Sequence, residues 1–193
     1  MRLRSTLSLS LSAALMAAGC ASTGSGDAAS SGAAPKPAAS STAKQASVKL
    51  APASGSLVSG MLTLKPMGDG VHITGEIGGL TAGGTHGFHI HEKGDCSAAD
   101  ATSAGGHFNP GAQPHGRAGQ GAHHAGDADN LVADGKGVAK VNVHQSGVVL
   151  GGGAANDIAG RAVIVHAKAD DYTSQPTGDA GGRIACGVIS VTR

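Results

Sequence analysis

From Val48 onward, hydrophobic and polar side chains alternate with a period of two, which is typical of half-buried β-strands. The ranges 57–65 and 71–77 alternate in this way, and the segment 66–70 between them carries the Pro and Gly of a turn. The pattern therefore predicts two antiparallel strands joined by a hairpin turn. Further strands are predicted later in the chain at 87–91, 137–144, 162–166 and 184–191.

No stretch of the chain has a convincing helical pattern. Short strands separated by Gly-rich turns predict an all-β fold, either an antiparallel sandwich or a barrel. Two long polar segments, 93–130 and 168–183, interrupt the strands and contain few large apolar side chains. Because long loops without secondary structure are usually functional in a compact domain, we expect the chemistry in these two segments.

The first 46 residues differ from the rest of the chain. Two Arg precede a short apolar stretch that ends in small residues, which is the pattern of a secretory signal and is too short to span a membrane as a helix. We interpret 1–19 as a signal peptide. We interpret 20–46 as a flexible tether, since its Ser, Ala, Gly and Pro show no apolar periodicity. The folded domain is then expected at 47–193.

The residues before Cys20 resemble a bacterial lipoprotein signal, in which this Cys is lipidated and becomes the new N-terminus. Ala17 stands where Leu is usual, and an ordinary signal with an incidental Cys is the alternative. An unpaired exposed thiol would be a liability in an oxidising compartment, which favours lipidation of Cys20. The expected location is the periplasm, with membrane attachment only through this lipid anchor.

Composition narrows the range of functions. The formal net charge is +1 and aromatic residues make up 2 % of the chain, so the core must consist of Val, Ile, Leu and Ala. Neither a basic groove nor a base-stacking platform is evident, which argues against nucleic-acid binding. The ten His, against one Tyr and two Phe, indicate metal chemistry because His is the commonest metal ligand.

His89 and His91 lie two apart on the strand 87–91, so both side chains project from the same face. The other candidate ligands lie in the first loop and at the end of the strand 162–166. Imidazole suits copper and zinc, and a carboxylate completes a tetrahedral zinc site. Seven candidates suit two ions that share one ligand, and His107, between the two groups in sequence, can bridge them. The candidates are His89, His91, His107, His115, His124, Asp127 and His166.

Five motifs together resemble the bacterial copper,zinc superoxide dismutase family, in register from about residue 48 to the end. Gly94-Asp95-Cys96-Ser97, after the first His pair, is similar to the periplasmic branch of that family. The resemblance implies a Greek-key antiparallel β-sandwich or barrel with two long functional loops. The motifs are Gly87–Glu92, Gly105–Pro110, His124–Asp127, Val165–Asp171 and Gly182–Ile189.

The resemblance also implies a ligand set with one copper and one zinc per chain. The implied copper ligands are His89, His91, His107 and His166. The implied zinc ligands are His107, His115, His124 and Asp127. Asp170 matches a carboxylate that hydrogen-bonds one copper His and one zinc His, and Arg183 matches the Arg that docks the anionic substrate. Asp171, beside Asp170, is interpreted as a solvated loop charge.

Four other His are not expected to bind metal. His72 and His144 are interpreted as surface residues on strands, and His86 as a hydrogen-bonded core residue. His123 adjoins His124, and the three-residue offset to Asp127 selects His124. A shifted register that uses His123 is the alternative.

Cys96 and Cys186 are the only Cys of the predicted domain. In an exported protein an even pair predicts a disulfide, here tying the first loop to the strand that follows Arg183.

The function implied by the resemblance is superoxide dismutation, which converts two superoxide radicals and two protons into oxygen and hydrogen peroxide, as antioxidant defence in the cell envelope. Copper would be the redox ion, zinc would hold the loop, and His107 would supply protons. The alternative is a periplasmic copper-binding or buffering module on the same fold. The branch includes monomers and dimers, so a homodimer is one of two expected states.

Overall fold

A computed structural model describes residues 40–192, and ten strands are present in this range. Eight of them form one antiparallel sheet in the order β5-β8-β9-β1-β2-β3-β7, with β10 beside β1, while β4 and β6 pair separately. The single helical element of the described range is a 3-10 turn at Thr102–Ala104. The strands are β1 Ala46–Pro52, β2 Ser59–Met67, β3 Gly70–Gly78, β4 Thr85–His86, β5 Phe88–His91, β6 Leu131–Val132, β7 Ala139–Ser146, β8 Ala162–His166, β9 Arg183–Val188 and β10 Ser190–Val191.

Strand β1 joins the two halves of the large sheet. Its residues 46–50 pair with β2, whereas 51–52 pair with β9. The sheet therefore changes direction along β1 and curls around the core, with β2, β3 and β7 on one side and β5, β8 and β9 on the other. The predicted all-β, antiparallel Greek-key architecture is confirmed.

The alternating pattern predicted most strands closely, and the differences have local causes. The strand predicted at 162–166 has the bounds of β8. Strand β2 extends through Met67, which pairs with Gly70, so the hairpin turn contains only two residues rather than the five predicted. The strand predicted at 184–191 is divided at Ile189 into β9 and β10. Strands β4 and β6 have two residues each, too few to show an alternation.

The core lies between the two sides of the curled sheet and consists mainly of Val, Ile, Leu and Ala, as predicted. Both Phe of the chain, Phe88 and Phe108, are buried in it. A smaller apolar cluster surrounds the sulfur of Cys186 on the outer side of β8 and β9. Side chains of β5 and β8 belong to this core, and these two strands position the site described below.

The described residues begin inside the range that was interpreted as a tether. Ser41 Oγ accepts a hydrogen bond from the Leu150 amide at 2.8 Å, and the amides of Thr42 and Ala43 donate to the Leu150 carbonyl. Ala46 already belongs to β1 and is fully buried. The signal-peptide interpretation of 1–19 and the lipidation of Cys20 lie outside the described residues. Within residues 40–192, no helix has the length and apolar character needed to cross a membrane.

Candidate metal centre

Strands β5 and β8 place three His on one face of the sheet. Alternation along β5 sends Phe88 and Ile90 into the core and leaves His89 and His91 on the opposite face of the sheet. The side chains on both faces of this strand are buried. On β8, His166 follows the alternation of Ala162 and Ile164, and Ile164 lies opposite His89 in the antiparallel ladder. A bulge between Val165 and His166 in the pairing with β9 ends the regular ladder at this ligand.

The first loop brings the remaining candidate ligands to the same place. The Phe108 amide donates to the Ile90 carbonyl at 2.8 Å, and the Ile90 amide donates to the Gly126 carbonyl at 2.9 Å. These bonds hold two parts of the loop against β5. As a result His107 lies beside His91, and Asp127 lies beside His89, in isolated antiparallel bridges.

Two groups of four buried side chains could each hold a metal ion, and they share His107. In each group the four ligand atoms all lie within 4.8 Å of one another. We name them the copper-type group and the zinc-type group after the ions that fit them, as argued next. The copper-type group is His89, His91, His107 and His166, and the zinc-type group is His107, His115, His124 and Asp127.

The zinc-type group has nearly tetrahedral spacing. Asp127 Oδ1 lies 2.8 Å from His107 Nδ1, 3.1 Å from His115 Nδ1 and 3.2 Å from His124 Nδ1. The Nδ1 atoms of His107 and His124 are 3.4 Å apart. Ligand atoms bound at about 2.1 Å in a tetrahedron are separated by about 3.4 Å. Three imidazoles and one carboxylate at this spacing fit zinc.

The copper-type group presents four imidazole nitrogens without hydrogen-bond partners suited to them. Within the described residues, His89 Nδ1 and His107 Nε2 are buried and have no hydrogen-bond partner. The Nε2 atoms of His91 and His166 face each other at 3.4 Å. Leaving buried polar atoms unpaired is costly, so the arrangement fits a cation that accepts all four lone pairs.

In four rings, the nitrogen that points away from its ligand group contacts an oxygen, and this contact determines the tautomer of the ring. His91 Nδ1 donates to the Gly105 carbonyl at 2.9 Å, and His166 Nδ1 lies 3.3 Å from the Gly181 carbonyl. His89 Nε2 and His115 Nε2 lie 2.7 Å and 3.0 Å from the two oxygens of Asp170. Because a carbonyl or carboxylate oxygen can only accept, each of these nitrogens carries the hydrogen. The opposite nitrogen is then free to bind metal.

Burial keeps the imidazoles neutral and therefore able to bind metal. It lowers the pKa of His91 to about 2 and that of His166 to about 4, and it places the pKa of His89 well below 6.5, with the neighbouring His107 adding to the effect at His89 and His91. The pKa of His124 is also lowered, again mainly by burial. These groups bind metal without first having to lose a proton at neutral pH.

Asp127 is the one carboxylate of the zinc-type group and is held in its ionised form. Burial opposes ionisation, but hydrogen bonds from His107 and from the amides of His124 and Gly116 outweigh it and leave the pKa of Asp127 well below its ordinary value. Those two amides donate to Oδ2 at 2.8 and 3.1 Å, which leaves Oδ1 facing the three imidazoles.

Asp170 connects the two groups from behind, as the resemblance implied. Its carboxylate spans His89 of the copper-type group and His115 of the zinc-type group. Gly178 has a positive φ of +66°, and a Cβ there would lie 2.7 Å from His115 Nε2. Gly is therefore required at this point for Asp170 and His115 to meet.

Arg183 begins β9 at the edge of the copper-type group and is half-buried. Its Nη1 donates to the Ala101 carbonyl at 2.6 Å and its Nη2 to the Gly105 carbonyl at 2.5 Å. The Gly105 carbonyl also accepts from His91, so one peptide group positions both the guanidinium and a ligand. Burial lowers the pKa of Arg183 from 12.5, and a guanidinium remains charged at any physiological pH.

The disulfide predicted between Cys96 and Cys186 is present and joins positions 90 residues apart. It connects the loop that carries Ala101 and Gly105 to β9, three residues beyond Arg183. The covalent link therefore supports the backbone that holds the Arg183 guanidinium.

Of the four other His, His86, His123 and His144 lie where they were expected. His72, expected at the surface, is half-buried, and its Nδ1 is buried without a hydrogen-bond partner among residues 40–192. His86 is buried and its Nδ1 bonds the His166 carbonyl at 2.9 Å. His72 and His144 lie opposite each other on β3 and β7, and His144 pairs with Asp69 at 2.8 Å. His123 bonds the His124 carbonyl through Nδ1 and does not belong to either group. Asp171 is exposed and caps the amides of the following loop residues.

Three amide side chains that sequence reasoning missed connect the loops around the centre. Asn130 accepts from the Asp170 amide and donates to the Asp170 carbonyl, each at 2.8 Å. Gln175 forms the same two-way bond with the backbone of His115 at 2.9 Å. Gln145 donates to two loop carbonyls from an inward-facing position of β7. Of these three residues, only Gln145 could have been identified from the sequence. It continues the inward-facing alternation of Ala139, Val141 and Val143, where a polar residue is unexpected.

The chain matches the model of the copper/zinc superoxide dismutase family over residues 58–189. Among solved structures, a SOD-like protein from Bacillus subtilis is 39 % identical, with 73 % of this chain and 95 % of that chain covered and a TM-score of 0.67. A double mutant of that protein gives 38 % identity, 75 % and 96 % coverage and a TM-score of 0.68.

The clock protein EA4 is 39 % identical, with 79 % of this chain and 97 % of that chain covered and a TM-score of 0.70. The family match spans more than half of the chain, and these structures share its fold at well over 30 % identity. The chain therefore belongs to the copper/zinc superoxide dismutase family.

Proposed function

We propose that this protein is a superoxide dismutase that binds one copper and one zinc per chain, converts superoxide to oxygen and hydrogen peroxide, and uses the copper-type group as its reaction site. The observation that carries the proposal is the completeness of the site. Each group has a suitable side chain at all four ligand positions, and His107 belongs to both groups. Arg183 lies beside the copper-type group.

The copper-type group would hold copper and the zinc-type group would hold zinc. When bound, copper supplies one-electron redox chemistry, and zinc has none and so fixes the loop and the charge beside His107. Both groups fit these ions on the grounds of spacing, tautomer and unpaired buried nitrogens given above. Asp170 orients one ring of each group, so the geometry of one site depends on that of the other.

Arg183 would dock the substrate. Superoxide is a small anion, and the guanidinium offers it both charge and hydrogen-bond donors. Two backbone carbonyls fix the guanidinium through Nη1 and Nη2, so it is positioned before the substrate arrives. Lys168, in the second loop, is the other cation that this loop contributes, and the same loop also carries the negative charges of Asp170, Asp171 and Asp179.

His107 would supply a proton to the product. Its Nδ1 faces the zinc-type group, while its Nε2 is buried without a hydrogen-bond partner among the described residues. Nε2 is therefore the ring atom at which His107 can hold a proton and pass it on. The net reaction consumes two superoxide ions and two protons and yields one oxygen and one hydrogen peroxide.

The test combines metal content with activity on the purified, metal-loaded protein. We expect one copper, one zinc and catalysed loss of superoxide. Arg183→Ala should retain both metals, because Arg183 belongs to neither ligand group and His91 keeps its own bond to the Gly105 carbonyl. It should lower kcat/KM about tenfold, because it removes the charge and the hydrogen-bond donors at the substrate position. His144→Ala, a change at an exposed His outside both groups, is the matched control and should change neither.

Stoichiometric metal without turnover would overturn the proposal. That result would instead favour the alternative function, a copper-binding or buffering module on the same fold.

We further propose that the chain is exported to the periplasm and anchored through a lipid on Cys20. The basic n-region, the short apolar stretch and the small residues before Cys20 support this. Cys20→Ser should release the protein from the membrane fraction while leaving its metal content unchanged. Retention of that variant in the membrane fraction would contradict anchoring at Cys20.

A further inference from the structure

Gln145 is a buried amide at a position of β7 where the alternation calls for an apolar side chain. Ala139 and Val141 precede it on the inward face and are buried, and Gln145 itself is 2 % exposed. Burying an amide at such a place costs free energy unless its polar atoms find partners. The partners of Gln145 therefore indicate why the chain keeps a polar residue there.

The Nε2 of Gln145 donates both of its hydrogens into the ligand loop. One goes to the Ala125 carbonyl at 2.7 Å and the other to the Asp127 carbonyl at 2.7 Å. Two carbonyl oxygens can only accept, so this orientation of the amide is the one that satisfies them. The Oε1 of Gln145 is buried and has no hydrogen-bond partner within the described range. The two bonds donated by Nε2 are therefore what accounts for an amide at this buried position.

The two acceptors flank Gly126, which is itself held from the opposite side. The Gly126 amide donates to the Phe108 carbonyl, and the Gly126 carbonyl accepts from the Ile90 amide, both at 2.9 Å. The tripeptide 125–127 is thus clamped between β5 and β7. Its last residue, Asp127, provides the oxygen on which the three imidazoles of the zinc-type group converge.

We propose that Gln145 is a positioning residue for the zinc-type group, fixing the backbone of Asp127 so that its carboxylate meets the three His. The inference rests on the proposed zinc occupancy of that group. It assigns Gln145 no contact with the ion or the substrate. Partners that orient a ligand without touching the ion typically contribute about 10–100-fold to metal affinity.

The experiment measures zinc affinity by competition with a chelator in the copper-loaded protein. Gln145→Met keeps the length of the side chain and removes both donors, so we expect its Zn²⁺ dissociation constant to rise about 10–100-fold, with unchanged copper content. Asn142→Met is the matched control, because Asn142 is an exposed amide on the same strand. Zinc affinity of Gln145→Met within twofold of the unsubstituted protein would overturn the proposal.

A second measurement does not depend on the variant folding. By the reciprocity of linkage, if the Gln145 contacts favour zinc binding, then zinc must favour the contacts. The side-chain amide protons of Gln145 should exchange with solvent more slowly in the zinc-loaded protein than after zinc removal, and equal rates would reject the role. Neither readout is dismutase activity, so a chain that binds zinc without turnover would refute the proposed function and leave this inference intact.

Discussion

At the scale of the residue, four of the six imidazole rings of the centre are oriented by a contact to their non-ligating nitrogen. Asp170 fixes His89 and His115, and backbone carbonyls fix His91 and His166. His107 differs from these four rings, because both of its nitrogens face ligand groups. Its substitution should consequently affect both groups at once.

His107→Ala should uncouple the two metal sites. Because the ring belongs to both groups, its loss should weaken metal binding at each by at least about 100-fold, beyond what a residue acting through a ligand contributes. In the unsubstituted protein, adding zinc should alter the copper EPR spectrum, whereas in the variant it should not. A copper spectrum identical in the two proteins would reject a shared ring, and His144→Ala serves as the surface control.

The metal-free protein should lose stability in acid. Burial lowers the pKa of folded His166 to about 4 from an ordinary 6.5. Between these values the unfolded chain binds more protons than the folded chain, so the free energy of unfolding falls as the pH decreases from about 6.5 to about 4. His91, with a pKa of about 2, extends the loss to lower pH.

Denaturant titrations of the metal-free protein at a series of pH values measure this slope. His166→Gln should reduce the slope, because that variant has no imidazole to protonate at this position. A free energy of unfolding that stays constant or rises on acidification over the same interval would contradict the assignment.

The ligands of the centre could be predicted from sequence, because residue type and order carry the information. Two His at a spacing of two on a strand, and the series of His and Asp in the first loop, are visible without a structure. The supporting amides could not be found in the same way. Asn130 and Gln175 act on backbone atoms of Asp170 and His115, 40 and 60 residues away, and nothing in the sequence relates positions so distant.

At the scale of the element, the loops have little apolar packing of their own and depend on a covalent tie to the sheet. Cys96 lies in the first loop and Cys186 in β9. Between them the chain contains every proposed metal ligand except His89 and His91. The disulfide therefore closes most of the site into one loop.

Cys96→Ser should destabilise the folded chain by about 4–5 kcal/mol in the chain-entropy model for a loop of this length. Denaturant unfolding under oxidising conditions measures the loss. Cys186→Ser should give at least the same value, because it also places a hydroxyl in the apolar cluster around Cys186. Activity should fall as well, because the loop freed by the change carries the Ala101 and Gly105 carbonyls that hold Arg183. A loss below about 1 kcal/mol would show that the loops are held mainly by other contacts.

Strands long enough to alternate were predictable, and those defined by tertiary pairing were not. β8 was found with its bounds because the four apolar residues 162–165 form a continuous run that ends at His166. β4 and β6 exist only because His86 and Leu131, distant in sequence, are brought together as a two-residue pair. The division at Ile189 likewise follows from pairing with distant residues, because the Ile189 amide donates to the Arg161 carbonyl and the Ile189 carbonyl accepts from the Gly160 amide.

At the scale of the whole molecule, the folded unit starts before the domain boundary expected from composition. Residues 41–43 make three hydrogen bonds with Leu150, and Ala46 pairs with both Leu64 and Val191. The Ser, Thr and Ala of this segment could not predict these contacts, because most of the contacts are made by backbone atoms, which are the same in every residue type.

A chain that begins at residue 40 should melt at a higher temperature than a chain that begins at residue 47. At about 1 kcal/mol for each lost hydrogen bond, the three bonds to Leu150 alone make the shorter chain about 3 kcal/mol less stable. For a protein of this size, that loss lowers Tm by about 6–12 °C. Thermal unfolding of the two chains in their metal-free forms makes the comparison, and equal melting temperatures would show that residues 41–46 contribute nothing.

Tyr172 is the only Tyr of a chain that has no Trp, and it lies where the two loops meet. Its hydroxyl accepts a hydrogen bond from the Asn130 amide at 3.0 Å, and the Arg117 guanidinium lies 5.1 Å above its ring. The tyrosine fluorescence of the protein therefore comes from this single junction. Opening of the loops can be followed in real time through native fluorescence, without attaching a dye or changing a residue.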